Sequence, residues 1–162
     1  MSSASQSRGH RSRIGPRCRA APLILYFDTS ALIKLAVVEE GSEAAAELWS
    51  SADPAAASIL AYPEGRAALA AAKRGGRLTK AGHTQALRDF ENLRNELISI
   101  GVDEPLARRA GELAEEYGLR GYDAVHLATA LELDDDVVLV TWDADLQLAT
   151  KRAGLSAAGA TR

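Results

Sequence analysis

The 162 residues, 47% of them hydrophobic, fall within the ~100–200 usual for one domain and are enough to bury a core. No apolar run, the five residues Leu23-Ile24-Leu25-Tyr26-Phe27 included, comes near the ~18–20 residues that cross a bilayer, so a membrane-spanning helix is excluded and a soluble protein is expected. The formal net charge of −3 conceals −8 over residues 23–162, where 14 Lys and Arg face 22 Asp and Glu; this excludes nucleic-acid binding by charge alone and suits a site for divalent cations.

Residues 1–22 contain Arg8, Arg11, Arg13, Arg17 and Arg19, no acid, and several Ser and Gly, and read as a basic, disordered tail ahead of a single domain at 23–162. The apolar stretch behind them is shorter than the ~7–15 residues of a signal-peptide core and runs into Asp28-Thr29, so no secretory signal is expected. The tail reads as a nonfunctional extension in preference to an RNA-contacting arm. Cys18, the sole cysteine, lies in it, which excludes an internal disulfide or a cysteine-based zinc site and suits a reducing cytoplasm.

From residue 23 strands and helices alternate, the pattern of an α/β domain whose mostly parallel sheet of about four to five strands is flanked by helices. Residues 23–27 form an unbroken apolar run, as in a strand buried on both faces. Ser30 is the candidate cap of a short helix over 31–37, and Gly41-Ser42 opens another that runs to about residue 52, where Asp53-Pro54 ends it. Residues 55–58 are a weaker strand candidate. Ser58 is expected to cap a helix reaching Lys73, in which Pro63 should cost a hydrogen bond or cause a kink, before Gly75-Gly76 ends it. Thr79 opens a helix with Leu87, Phe90, Leu93 and Leu97 at helical spacing, and residues 98–102 read as a strand. Leu106, Ala110, Leu113 and Tyr117 make the apolar stripe of a helix closed by Gly118. Residues 123–133 form the next helix, 137–141 a second clearly apolar strand and 145–152 a last short helix, while residues from Gly154 onward carry no structural signal.

In an open α/β sheet, functional groups gather beyond the carboxyl ends of the strands. Asp28 follows the first strand directly, and Asp143 follows the strand at 137–141 with Trp142 between. Glu64 lies in the helix after Ser58, and Asp123 opens another in Gly121-Tyr122-Asp123-Ala124. Taken singly, Asp28 and Asp143 could be turn formers, Asp123 an N-cap and Glu64 a solvated helix residue. If the four converge, each pair at ~4 Å repels by about 4 kcal/mol at an effective dielectric of roughly 20, which only protonation or bound cations relieve. Oxygen ligands without His or Cys select hard cations, Mg²⁺ or Mn²⁺; such an ion lowers the pKa of a bound water and holds a phosphate, so phosphodiester hydrolysis is the expected reaction.

Asp28-Thr29-Ser30-Ala31-Leu32-Ile33-Lys34 resembles the opening motif of PIN-domain nucleases. Tyr122-Asp123-Ala124-Val125-His126-Leu127-Ala128-Thr129-Ala130 resembles their central motif, and Thr141-Trp142-Asp143-Ala144-Asp145 their last, with Glu64 at the expected interval between the first two. The resemblance spans residues 23–155 and extends to the VapC-type toxins of bacterial toxin-antitoxin pairs. It implies a PIN-like fold and an acidic cluster of Asp28, Glu64, Asp123 and Asp143 that holds one or two Mg²⁺ or Mn²⁺ ions and cleaves single-stranded or loop RNA. Asp145 is a weaker fifth metal ligand, and Thr141 or Ser30 supply hydroxyls. A VapB-like antitoxin whose C-terminal segment covers the cleft, and a homodimer, are implied in the same way. The long tail and Pro63 beside Glu64 depart from the pattern.

His126, three residues after Asp123, is a conceivable general base but reads better as a packed histidine. Asp134-Asp135-Asp136 precedes a parallel strand and so sits at the end of the sheet away from the cleft, as a solvated loop. Lys34, Arg66, Lys73, Arg74, Arg77 and Lys80 are candidates for RNA phosphates, most of them simply surface charge. The Asp143-Ala144-Asp145 pair after a strand also resembles dehalogenase-type phosphatases, but there it should open the chain. Two alternatives remain, a non-catalytic PIN-like binding module, which should have a broken acidic quartet, and a housekeeping RNA-processing nuclease.

Overall fold

Bulky side chains alternate on both faces of Ile24-Leu25-Tyr26-Phe27, so this segment is stable only where both faces are covered. It forms the central strand β1 (Ile24–Phe27), with all four residues buried. The computed structural model describes residues 23–133 and 136–159; the basic tail, Asp134 and Asp135 lie outside the described residues. β1 pairs in parallel with β2 (Ala55–Ser58) on one side and with β4 (Val137–Thr141) on the other. β3 (Ile98–Ile100) and β5 (Ser156–Gly159) complete a five-stranded parallel sheet in the order β3-β2-β1-β4-β5.

Strand alternation sends β1 into two cores. Ile24 and Tyr26 face a layer containing Leu106, Leu113, Leu127 and Leu146, carried by α5 (Glu104–Tyr117), α6 (Gly121–Leu131) and α7 (Ala144–Arg152). Leu25 and Phe27 face Leu32, Leu69 and Phe90, from α1 (Thr29–Ala36), α3 (Ala61–Arg74) and α4 (Lys80–Glu96). From α2 (Ser42–Ser51), Trp49 stands edge-on to Phe27 with ring centroids 5.2 Å apart. Each fully covered large side chain contributes about 1.5–3 kcal/mol by leaving water, so this three-layer α/β/α arrangement is where the chain's stability resides.

Several local expectations are corrected by the structure. Asp28, not Ser30, caps α1, because its carboxylate accepts from the Ala31 N–H at 2.8 Å while Ser30 lies within the first turn. Leu60, not Ser58, occupies the cap position of α3; the Ser58 hydroxyl accepts from the Leu60 N–H instead. Pro63 neither breaks nor kinks this helix, for it sits in the first turn, where a backbone N–H has no intrahelical acceptor, and the Glu64 N–H bonds normally to the Leu60 carbonyl at 3.2 Å. β3 ends at Ile100, short of Val102. β5 was not anticipated: Ser156-Ala157-Ala158-Gly159 has no β-branched or aromatic side chain, and it is a strand only because the open edge of β4 pairs with it. Gly159 is required there, since a β-carbon would collide with the Thr141 carbonyl.

Gly65 allows α3 and α4 to approach, because a methyl group at this position would run into the buried Phe90 ring. Gly65→Ala should therefore destabilise the protein by about 1–3 kcal/mol in urea unfolding, despite a gain of up to ~1 kcal/mol in helix propensity. Combining it with Phe90→Leu should cost less than the two single changes added together.

Candidate active site

The order β3-β2-β1-β4-β5 reverses direction at β1. The chain leaves β1 toward β2 and later returns on the other flank as β4, so the segments after β1 and β4 diverge and open a crevice at their carboxyl ends. Asp28 and Asp143 stand on its two lips. α3 and α6 begin over the same end of the sheet and bring Glu64 and Asp123, each in the first turn of its helix. All four acids line one cleft of about 340 Å³, together with Thr29, Ser30, Arg120 and His126.

Asp28 is only 3% exposed. One carboxylate oxygen accepts from the Ala31 N–H and the Ser30 hydroxyl, both at 2.8 Å; the other accepts from the Thr141 hydroxyl at 2.6 Å and from Ser30 at 3.0 Å. Burial raises its pKa above the ordinary value, and nearby His126 together with these donors only partly opposes the rise. The opening and closing motifs thus meet in one carboxylate, since Ser30 also accepts from the Trp142 N–H at 2.9 Å and Thr141 from the Asp143 N–H at 3.0 Å.

Glu64 is half-buried, and its Oε2 accepts from the Thr29 hydroxyl at 2.7 Å and from His126 Nε2 at 2.9 Å. Burial pushes its carboxyl up, but the His126 and Thr29 hydrogen bonds and the positive charge of Arg120 outweigh that, leaving it below the ordinary range. Asp143 caps α7 by accepting from the N–H groups of Asp145 and Leu146 at 3.0 and 2.9 Å. Its second oxygen meets Arg120 Nη2 at 2.9 Å, while Arg120 Nε donates to Asp123 at 2.7 Å. A guanidinium therefore stands between these two acids. Among the described residues, no three acids or imidazoles close around a single point as the side chains lie.

The Asp145 side chain is exposed and outside the cleft lining, apart from the other four acids. Of the basic candidates, Lys34 and Arg77 line the cleft, whereas Arg66 pairs with Glu91 at 3.0 Å outside it. His126 is packed, 2% exposed, yet it also touches Glu64. Asp136 precedes β4, and its carbonyl accepts from the Ile24 N–H at 2.8 Å, at the sheet end away from the cleft. Arg120, Thr29 and Tyr26 escaped the sequence reading. Arg120 offers one local signal, lying three residues before Asp123 and hence on the same helical face.

The burial of Asp28 has a pH consequence. A carboxyl whose folded pKa is raised contributes stability fully below the unfolded value of 3.8, and that contribution is lost as pH rises through the folded pKa. Asn stays neutral throughout and still caps a helix well. Without added metal, Asp28→Asn should unfold at a higher urea midpoint than wild type at neutral pH, the difference closing as pH falls to about 3.8.

The PIN-domain family model matches residues 25–151. Ribonuclease VapC45 of Mycobacterium tuberculosis is 43% identical over 138 residues, which cover 85% of this chain and 96% of that protein. Among solved structures, PAE2754 from Pyrobaculum aerophilum is 26% identical with a TM-score of 0.63, covering 83% of each chain. A toxin-antitoxin complex from Klebsiella pneumoniae is 27% identical with a TM-score of 0.54, covering 74% of this chain and 86% of that one. With its fold and these likenesses in agreement, the chain belongs to the PIN-domain family and is similar to the VapC ribonucleases.

Proposed function

We propose that Asp28, Glu64, Asp123 and Asp143 hold Mg²⁺ or Mn²⁺ in the cleft between β1 and β4, that RNA is cleaved there, and that the protein is the toxin partner of a VapB-like antitoxin. The observation that carries the reading is the arrival of four carboxylates from four separate elements at one crevice beyond the carboxyl ends of the strands. The donor set suits a hard cation, being carboxylate oxygen with hydroxyls behind it, and the Arg120 bridge shows that Asp123 and Asp143 already accommodate a cationic group between them. When bound, the ion would supply a water of lowered pKa and offset charge on the scissile phosphate.

The chain's own groups divide the remaining work. Ser30, Thr141 and the Ala31 N–H hold Asp28 in one orientation. Glu64, kept below the ordinary carboxylate range, is ionised near neutral pH and presents a full negative charge to a cation. Lys34 and Arg77 at the cleft wall meet phosphate oxygens. Arg120, which is largely exposed, would be the group to leave Asp123 and Asp143 free for an ion. An antitoxin partner is supported by the likeness to the Klebsiella toxin-antitoxin complex, and the family resemblance adds a homodimer and an antitoxin C-terminal segment over the cleft.

RNA cleavage by the purified protein should require Mg²⁺ or Mn²⁺ and stop with EDTA, and Asp28→Asn should fall to the EDTA background with an unchanged circular dichroism spectrum. Undiminished cleavage in EDTA, or by the variant, would overturn the assignment. Arg120→Gln removes the internal counter-cation; because Arg120 is largely exposed, the effect should be small, roughly a three- to tenfold tighter Mn²⁺ affinity by calorimetry, or about 1 kcal/mol.

A further inference from the structure

Beneath the cleft, buried polar groups from three elements form one hydrogen-bonded chain that ends on Glu64. Tyr26, on the central strand, is fully buried; its hydroxyl accepts from the Ser58 N–H at 3.1 Å and lies 2.9 Å from His126 Nδ1. His126, on α6, is 2% exposed, with Nε2 at 2.9 Å from Glu64 Oε2 and 3.2 Å from the Thr29 hydroxyl. Phenylalanine and leucine would fill the same core positions without needing partners, whereas a tyrosine and a histidine there are costly unless every polar atom is satisfied.

The protons can be assigned from chemistry. An ionised carboxylate only accepts, so His126 Nε2 carries the hydrogen that points to Glu64. In the neutral ring Nδ1 then accepts, and the hydrogen it receives is that of the Tyr26 hydroxyl, whose oxygen in turn receives the Ser58 N–H. Thr29 and His126 both donate to the same oxygen of Glu64. Oε1 is left without a hydrogen bond among the described residues, available to a ligand of the cleft.

We propose that Tyr26 and His126 are positioning residues for Glu64: the buried hydroxyl selects the His126 tautomer with hydrogen on Nε2, and that N–H holds Oε2 so that Oε1 serves the cation and substrate. This rests on the cation reading of the cleft. Groups that orient a metal ligand from behind typically govern affinity by about 10–100-fold, which makes the arrangement measurable apart from catalysis.

The test compares wild type, Tyr26→Phe, His126→Leu and His126→Gln as full chains. Gln keeps an N–H donor near the Nε2 position, whereas Leu fills the space without one. Mn²⁺ affinity is read by calorimetry, the His126 tautomer by imidazole nitrogen NMR without metal, and folding by thermal unfolding without metal. The wild-type ring should show hydrogen on Nε2, and Tyr26→Phe should shift it toward a mixture. Mn²⁺ affinity should fall about tenfold or more in Tyr26→Phe and His126→Leu, and stay within about threefold of wild type in His126→Gln. A wild-type ring protonated on Nδ1 alone, or equal Mn²⁺ affinity in all four folded proteins, or equal losses in the Gln and Leu variants, overturns the positioning role while leaving the cation site standing. Failure of the wild type to bind Mn²⁺ overturns the cation reading itself, and this inference with it.

Discussion

A carboxylate buried to 3% exposure at the end of the central strand is the constraint around which the rest of this molecule is arranged. Burying a charge is unfavourable unless donors surround it. Asp28 meets that requirement with the N–H of the helix it caps and two hydroxyls from opposite ends of the sequence, Ser30 and Thr141. The donors do not cancel the desolvation, as the raised pKa of Asp28 records. The folded state therefore carries at this point an electrostatic penalty that a cation would relieve, and the sheet topology places it where a ligand can reach.

The other three acids show how one cleft tolerates four like charges. Glu64 is held by Thr29 and by the buried histidine, and Asp123 and Asp143 share Arg120. Three different devices, buried donors, an imidazole and an exposed guanidinium, thus hold the acids close enough to line a single cleft. Arg120 alone among these partners is largely exposed, its side chain 77% accessible, so it is the partner that can leave without disturbing the core. In the proposed function this guanidinium would give way to a metal ion held by the same acids. The hydroxyls, the histidine and the tyrosine stay in place, anchored in the two cores that flank β1.

Much of this was legible in the sequence where local pattern and tertiary position coincide. Residues 23–27 and 137–141 are too apolar to be anything but central strands, and an acid at the carboxyl end of each marks the crevice. What was illegible depends on contacts remote in sequence. Ser156–Gly159 has no strand propensity of its own and becomes β5 only by pairing with β4. Ser30 and Asp28 are both good caps, and the choice between them follows from the depth at which β1 ends, not from residue type. Pro63 was expected to disturb its helix, yet the helix starts late enough to place it in the first turn. The Tyr26–His126 contact joins residues 100 positions apart, so no spacing rule reveals it. Glu64, placed by its interval between two motifs, lines the cleft, while Asp145, two residues beyond Asp143, faces solvent because α7 turns it outward.

The central claim is that the four carboxylates are a cation site. Crystals grown with excess Mn²⁺, measured at the manganese absorption edge, test it most directly. The account predicts an anomalous peak in the cleft within coordination distance of Asp28, Asp123 and Asp143 oxygens, with Glu64 beside it and Arg120 turned away. Manganese found only elsewhere, or a cleft without a peak in which Arg120 still bridges Asp123 and Asp143, would contradict it.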